Sequence, residues 1–188
     1  MSERPVILLA AHGERGGAAN NARLAGIVDA VGALVPEADV GSVLVNVEGV
    51  VEKAVAACGT RPVLCLPLLF SDGFFYEKRL KPAFAADNHT LAPPLALWRS
   101  FAPFLMDNLA LRTISHAVDP RVVLVAHGSK QTGRSAACAR QVAGLMQARY
   151  GRLEVGFLEE APFAAEVVAQ AEAPWSAIGL FLGVKAAV

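Results

Sequence analysis

The chain has 188 residues, of which 54% are hydrophobic, enough for one large domain or two small ones with a substantial core. Seventeen basic and seventeen acidic side chains cancel without any block of like charge, which argues against nucleic acid or an anionic membrane as partner. The longest apolar runs are strand-sized, far below the roughly 18 residues of a membrane helix, and Met1 to Pro5 carry no signal-peptide pattern, so a cytoplasmic protein is expected.

The first predicted strand is the apolar run from Val6 to Ala11, which ends in His12 and Gly13. A glycine loop to Gly17 leads into a helix over Ala18 to Leu34, with Leu24, Ile27, Val28, Val31 and Leu34 at helical spacing. Val40 to Val47 reads as a second strand, Val50 to Ala57 as a helix, and Arg61 to Phe70 as a third buried strand. Ser71-Asp72-Gly73 closes that strand, and a loop leads into Tyr76 to Phe84. Asn88 to Pro94 is turn-rich, and Phe101 to Ala117 is expected to be the closing helix of this half.

The order then repeats. Strand Arg121 to Ala126 is followed by His127-Gly128, a loop to Gly133, helix Ser135 to Tyr150, strand Leu153 to Leu158, helix Phe163 to Ala171 and strand Ala177 to Leu182. Strands alternating with helices at these lengths predict an α/β fold with parallel sheets. The expected halves are residues 1–117 and 118–188. Only 61 residues follow His127, so the second half is shorter than the first, ending in or just after its third strand.

Cys58, Cys65 and Cys138 are odd in number and widely spaced in apolar surroundings, which reads as small core residues rather than a disulfide framework or zinc site. His12 and His127 each end a buried strand and precede glycine, a setting that suits a metal ligand, a general base or a turn-ordering hydrogen bond. His89 and His116 have no comparable setting and are expected in solvent. The Gly13–Gly17 loop is not a nucleotide motif, but it could receive substrate carboxylates, with Arg15, Lys130 and Arg134 as partners. Glu48, and at the matching place Glu159 and Glu160, could hold metal or remove protons; a helix N-terminus favours Glu for dipole reasons alone. Phe74-Phe75-Tyr76 would form a wall for a flat ligand or a packed lid.

In order, Leu9-Ala10-Ala11-His12-Gly13-Glu14-Arg15, Leu66-Pro67-Leu68-Leu69-Phe70-Ser71-Asp72-Gly73, Val125-Ala126-His127-Gly128-Ser129-Lys130 and Phe157-Leu158-Glu159-Glu160-Ala161-Pro162-Phe163 span nearly the whole chain. This series resembles the CbiX group of class II tetrapyrrole chelatases, lyases that insert cobalt or iron into sirohydrochlorin in cobalamin or siroheme biosynthesis. The resemblance implies a chelatase-like fold of two similar three-layer α/β/α lobes, the second truncated, with a tetrapyrrole cleft between them. It implies His12 as a metal-binding and proton-accepting group; beside it, the positions of His127 and Glu48 offer a second catalytic imidazole and a further metal ligand, and Arg15, Phe75 and Lys130 are expected as substrate contacts. A divalent metal, cobalt or iron, would be a substrate, with no organic cofactor; homodimerisation is left open.

The family usually carries a second histidine two residues past the glycine of the second motif, and Phe75 stands there. His12 would then work with Glu48, Asp72 or His127, or a ligand would lie beyond Val188, or the protein would bind a tetrapyrrole or metal without catalysis. A more distant reading is a histidine phosphatase, whose Arg-His-Gly-Glu is similar to Ala-His-Gly-Glu; here Ala11 and Ala126 replace the arginine needed to hold a phosphoryl group.

Overall fold

A computed structural model describes residues 4–13, 21–110, 121–129, 133–170 and 175–180. The chain forms two compact units that divide between Pro94 and Leu95. The first contains β1 (Val6–Ala11), α1 (Ala22–Leu34), β2 (Asp39–Leu44), α2 (Val50–Ala57) and β3 (Val63–Leu68). A π-helical turn (Tyr76–Leu80), the short α3 (Lys81–Ala83) and β4 (His89–Leu91) complete it. The second unit opens with a 3-10 turn (Leu95–Leu97) and α4 (Phe101–Ala110), then runs through β5 (Arg121–Ala126), α5 (Arg134–Gln147), β6 (Leu153–Phe157), α6 (Ala164–Ala169) and β7 (Trp175–Leu180).

Both sheets are parallel. The first has the order β2-β1-β3-β4, with Ala11 opposite Leu44 on one side and Leu68 on the other. Among the described residues the second has the order β6-β5-β7, with Ala126 between Phe157 and Leu180. In each unit the first strand in sequence is therefore central. A central parallel strand is covered on both faces, which explains why Val6–Ala11 and Arg121–Ala126 read as nearly unbroken apolar runs rather than alternating ones.

The first core gathers Leu8, Ala10, Val43, Val45, Val51, Cys65, Leu80 and Phe84. In the second unit α5 buries Ala136, Ala139, Val142, Ala143 and Met146, an i, i+3, i+4 stripe, while β5 and β6 contribute Val122, Val123, Leu124 and Phe157. Full burial of a side chain such as Leu80 or Phe157 contributes about 1.5–3 kcal/mol. All three cysteines are free and buried, as expected of small core residues.

Several local expectations change. Of the predicted stripe on α1 only Leu24 is buried; Leu34 is 80% exposed, because this helix packs chiefly on β2, the outer strand of its sheet. The turn-rich stretch after Asn88 contains β4, three residues paired in register with Val63–Cys65. His89 therefore sits on an edge strand, half-buried with its ring 5.9 Å from that of Phe84, and not in a solvated loop. The closing helix α4, expected in the first half, packs on α5 of the second unit, and Asp107 and Arg149 pair across them at 3.3 Å. His116 lies outside the described residues. No helix among the described residues is long and apolar enough to cross a membrane.

Two stability predictions follow from packing in these units. A Cβ at Gly156 would lie 2.6 Å from the Ala164 Cα, backbone against backbone, where α6 crosses β6. Gly156→Ala should cost about 1–3 kcal/mol in urea unfolding, whereas Gly144→Ala, in α5 with open space at its Cβ, should gain about 0.5–1 kcal/mol. An unchanged midpoint for Gly156→Ala would refute the close approach. In β3, burial pushes the Cys65 thiol from 9.0 up to about 12. The native state thus disfavours the thiolate, so stability should be full below pH 9 and decline as pH rises towards 12. Desolvation raises the Tyr76 phenol as well, so a decline should persist in Cys65→Ala but be shallower; parallel pH curves for the two proteins would exclude the Cys65 contribution.

Candidate functional site

In both units the central strand runs out at a histidine followed by a glycine with positive φ. Gly13 has φ +80 and Gly128 has φ +77, a left-handed conformation that side chains rarely adopt. The space beside them is also short. A Cβ at Gly13 would come within 2.9 Å of Asn46 Oδ1, and one at Gly128 within 3.0 Å of Glu160 Oε1. The turn leaves the preceding imidazole exposed beyond the carboxyl end of the sheet, where parallel α/β folds commonly place ligands.

His12 is aligned by its backbone, since the Val45 N–H donates to the Ala11 carbonyl at 2.9 Å and carries the β1–β2 pairing one step further. Its Nδ1 lies 3.2 Å from the Gly13 carbonyl. With the proton on Nδ1 that contact is a hydrogen bond, and Nε2 keeps its lone pair. The neighbouring ring is Phe75, with centroids 4.7 Å apart and planes at 89°. Phe74 stands edge-on to Phe75 in turn, 5.4 Å away at 84°.

The backbone that holds Phe75 was not legible in the sequence. Phe75 caps the π-helical turn, in which Tyr76 and Leu80 point into the core and the Tyr76 hydroxyl donates to the Ala92 carbonyl at 3.3 Å. Lys81 lies over the Tyr76 ring at 5.6 Å and pairs with Glu77 at 2.6 Å. A π turn is uncommon and often marks a functional segment. Its buried residues, Tyr76 and Leu80, stand at the i, i+4 spacing of an ordinary helix, so the sequence carries no mark of the wider turn.

His127 has different company. Its Nε2 lies 3.3 Å from Glu159 Oε1, and the Glu159 N–H donates to the His127 carbonyl at 3.0 Å. The adjacent Glu160 turns the other way, accepting the Ser129 N–H at 2.7 Å. One carboxylate thus orders the loop while the next meets the imidazole. Nitrogen and oxygen donors of this kind bind divalent transition ions, and either can take a proton.

The remaining predicted residues are less gathered. Glu48 is 89% exposed and faces Arg79 at 3.8 Å. Among the described residues no three His, Cys, Asp or Glu side chains come together as a metal-holding group. Arg15 and Lys130 lie outside the described residues.

No family model matches the chain, and no curated protein matches it. Solved structures do. CbiX, described as the terminal enzyme for biosynthesis of siroheme in denitrifying bacteria, superposes with a TM-score of 0.73 at 23% identity, over 95% of this chain and 79% of that one. SirB from Bacillus subtilis, solved with Fe3+, gives a TM-score of 0.73 at 17% identity, over 97% of this chain and 79% of that one. The chain therefore has the chelatase-like α/β fold of these two proteins, with its parallel sheets in two lobes.

Proposed function

We propose that the protein inserts a divalent metal, cobalt or iron, into sirohydrochlorin or a related tetrapyrrole, in the synthesis of siroheme or cobalamin. The observation that carries this reading is the His127–Glu159 pair at 3.3 Å, on the loops that end β5 and β6, in a fold shared with a siroheme-biosynthesis enzyme. Metal insertion releases two pyrrole N–H protons as the macrocycle nitrogens take the ion. The protein must therefore supply an acceptor for protons and a transient donor for the metal. His127 and Glu159 provide a nitrogen and an oxygen for both tasks.

His12 is the second imidazole of the reaction, placed against the macrocycle beside Phe75. Glu48, which pairs with Arg79 at 3.8 Å, is a candidate metal donor of the first unit. Arg15 and Lys130 answer the carboxylates of the substrate, and Phe75 its apolar face. One observation favours a second reading, binding of the tetrapyrrole without insertion: the neighbour of His12 is a phenylalanine ring, which can neither bind metal nor accept a proton.

Sirohydrochlorin absorption separates the two when it is followed with Co2+ or Fe2+ in the presence and absence of protein. Insertion above the spontaneous rate is expected, with His127→Ala lowering the catalysed rate by about 100-fold, the scale of a lost acid–base group. Glu159→Gln should lower it less. Saturable binding of the tetrapyrrole with no acceleration by the wild-type protein would overturn insertion in favour of binding.

A further inference from the structure

We propose that the rings of His12, Phe75 and Phe74 form an aromatic contact surface for the flat face of a conjugated macrocycle, and that Phe75 keeps His12 out of metal coordination. This rests on the tetrapyrrole reading above and assigns the first unit a distinct part in it. Phe75 lies edge-on against His12 at a centroid distance of 4.7 Å and fills that side of the imidazole with an apolar ring. A phenyl ring has no lone pair, and an apolar neighbour makes the partial dehydration of a divalent ion costlier. Among the described residues no three His, Cys, Asp or Glu side chains gather, and an imidazole without such companions holds a transition metal poorly, since protein sites use three or four ligands.

The same geometry suits a flat apolar ligand. Successive rings stand nearly perpendicular, at 89° and 84°, an arrangement aromatic groups favour, with Phe75 half-buried against the core and Phe74 exposed beside it. Phe74 is 48% exposed, yet its neighbour Phe75 is held at the start of a π turn whose Tyr76 and Leu80 are buried. An exposed aromatic on an anchored backbone offers contact area without a large ordering cost on binding.

The experiment uses the full chain with two probes: Co2+ alone, followed by its visible absorption, and metal-free sirohydrochlorin, followed by its own bands. His12→Ala should leave Co2+ affinity within about twofold, and Phe75→His should raise Co2+ binding by about tenfold or more by completing a two-imidazole pair. Phe74→Ala, at an exposed position, should weaken sirohydrochlorin binding by about three- to tenfold. Phe75→Leu keeps the bulk of the site and should give a loss of the same order. A tenfold loss of Co2+ affinity in His12→Ala would overturn the metal exclusion. Wild-type sirohydrochlorin affinity in both Phe74→Ala and Phe75→Leu would overturn the contact surface while leaving the tetrapyrrole reading intact. No sirohydrochlorin binding by the wild-type protein would overturn both.

Discussion

The carbonyls of Ala11 and Ala126 accept hydrogen bonds from Val45 and Leu158, one residue beyond the end of each neighbouring strand. Everything at the candidate site depends on these two bonds. They carry the parallel pairing one step past the last residue of each neighbouring strand, up to the histidine that follows. A glycine in a left-handed conformation then turns the chain away. The histidine between bond and glycine has its backbone fixed from both sides, and its imidazole is presented on a rigid support. Binding groups on strand ends are held more precisely than groups on free loops.

The same backbone device supports two different chemical neighbourhoods. Beyond β2 the chain provides Asn46, an uncharged amide, close to Gly13, and the ring facing His12 comes from the π turn after β3. Beyond β6 it provides two consecutive carboxylates, one occupied by the Ser129 amide and one directed at His127. The first histidine is thus set among aromatic rings and the second beside an acid. A bound metal needs donors, which the second setting offers, and a flat apolar face needs apolar area, which the first offers.

The sequence exposed what depends on long apolar patterns. The central strands stand out because burial on both faces forces continuous Val, Leu and Ala runs, and the α5 stripe follows the helical period. His12 and His127 were visible because each interrupts such a run immediately before a glycine. The three-residue β4 was not, since its identity as a strand comes from pairing with β3 rather than from its own composition. The open face of α1 was equally hidden: its periodicity says that one side is apolar, but only its place over an outer strand determines how much of that side is covered. The pairing of His127 with Glu159, and the separate use of Glu160, required the geometry of the β6 loop, because adjacent residues of the same type carry no mark of which way each will turn.

The π turn gives the residue beside His12 an unusual kind of sensitivity. Its i to i+5 bonding accommodates one more residue than an α-helical turn would. Removing a single residue between Tyr76 and Leu80 would let an ordinary helix form and rotate the preceding side chains by about 100° around its axis. Phe75 would then leave the imidazole and a neighbour would take its place. The partner of His12 is consequently determined by chain length as well as by residue identity, and small insertions or deletions in this segment are a route by which the chemistry of the first unit can be altered without touching the sheet.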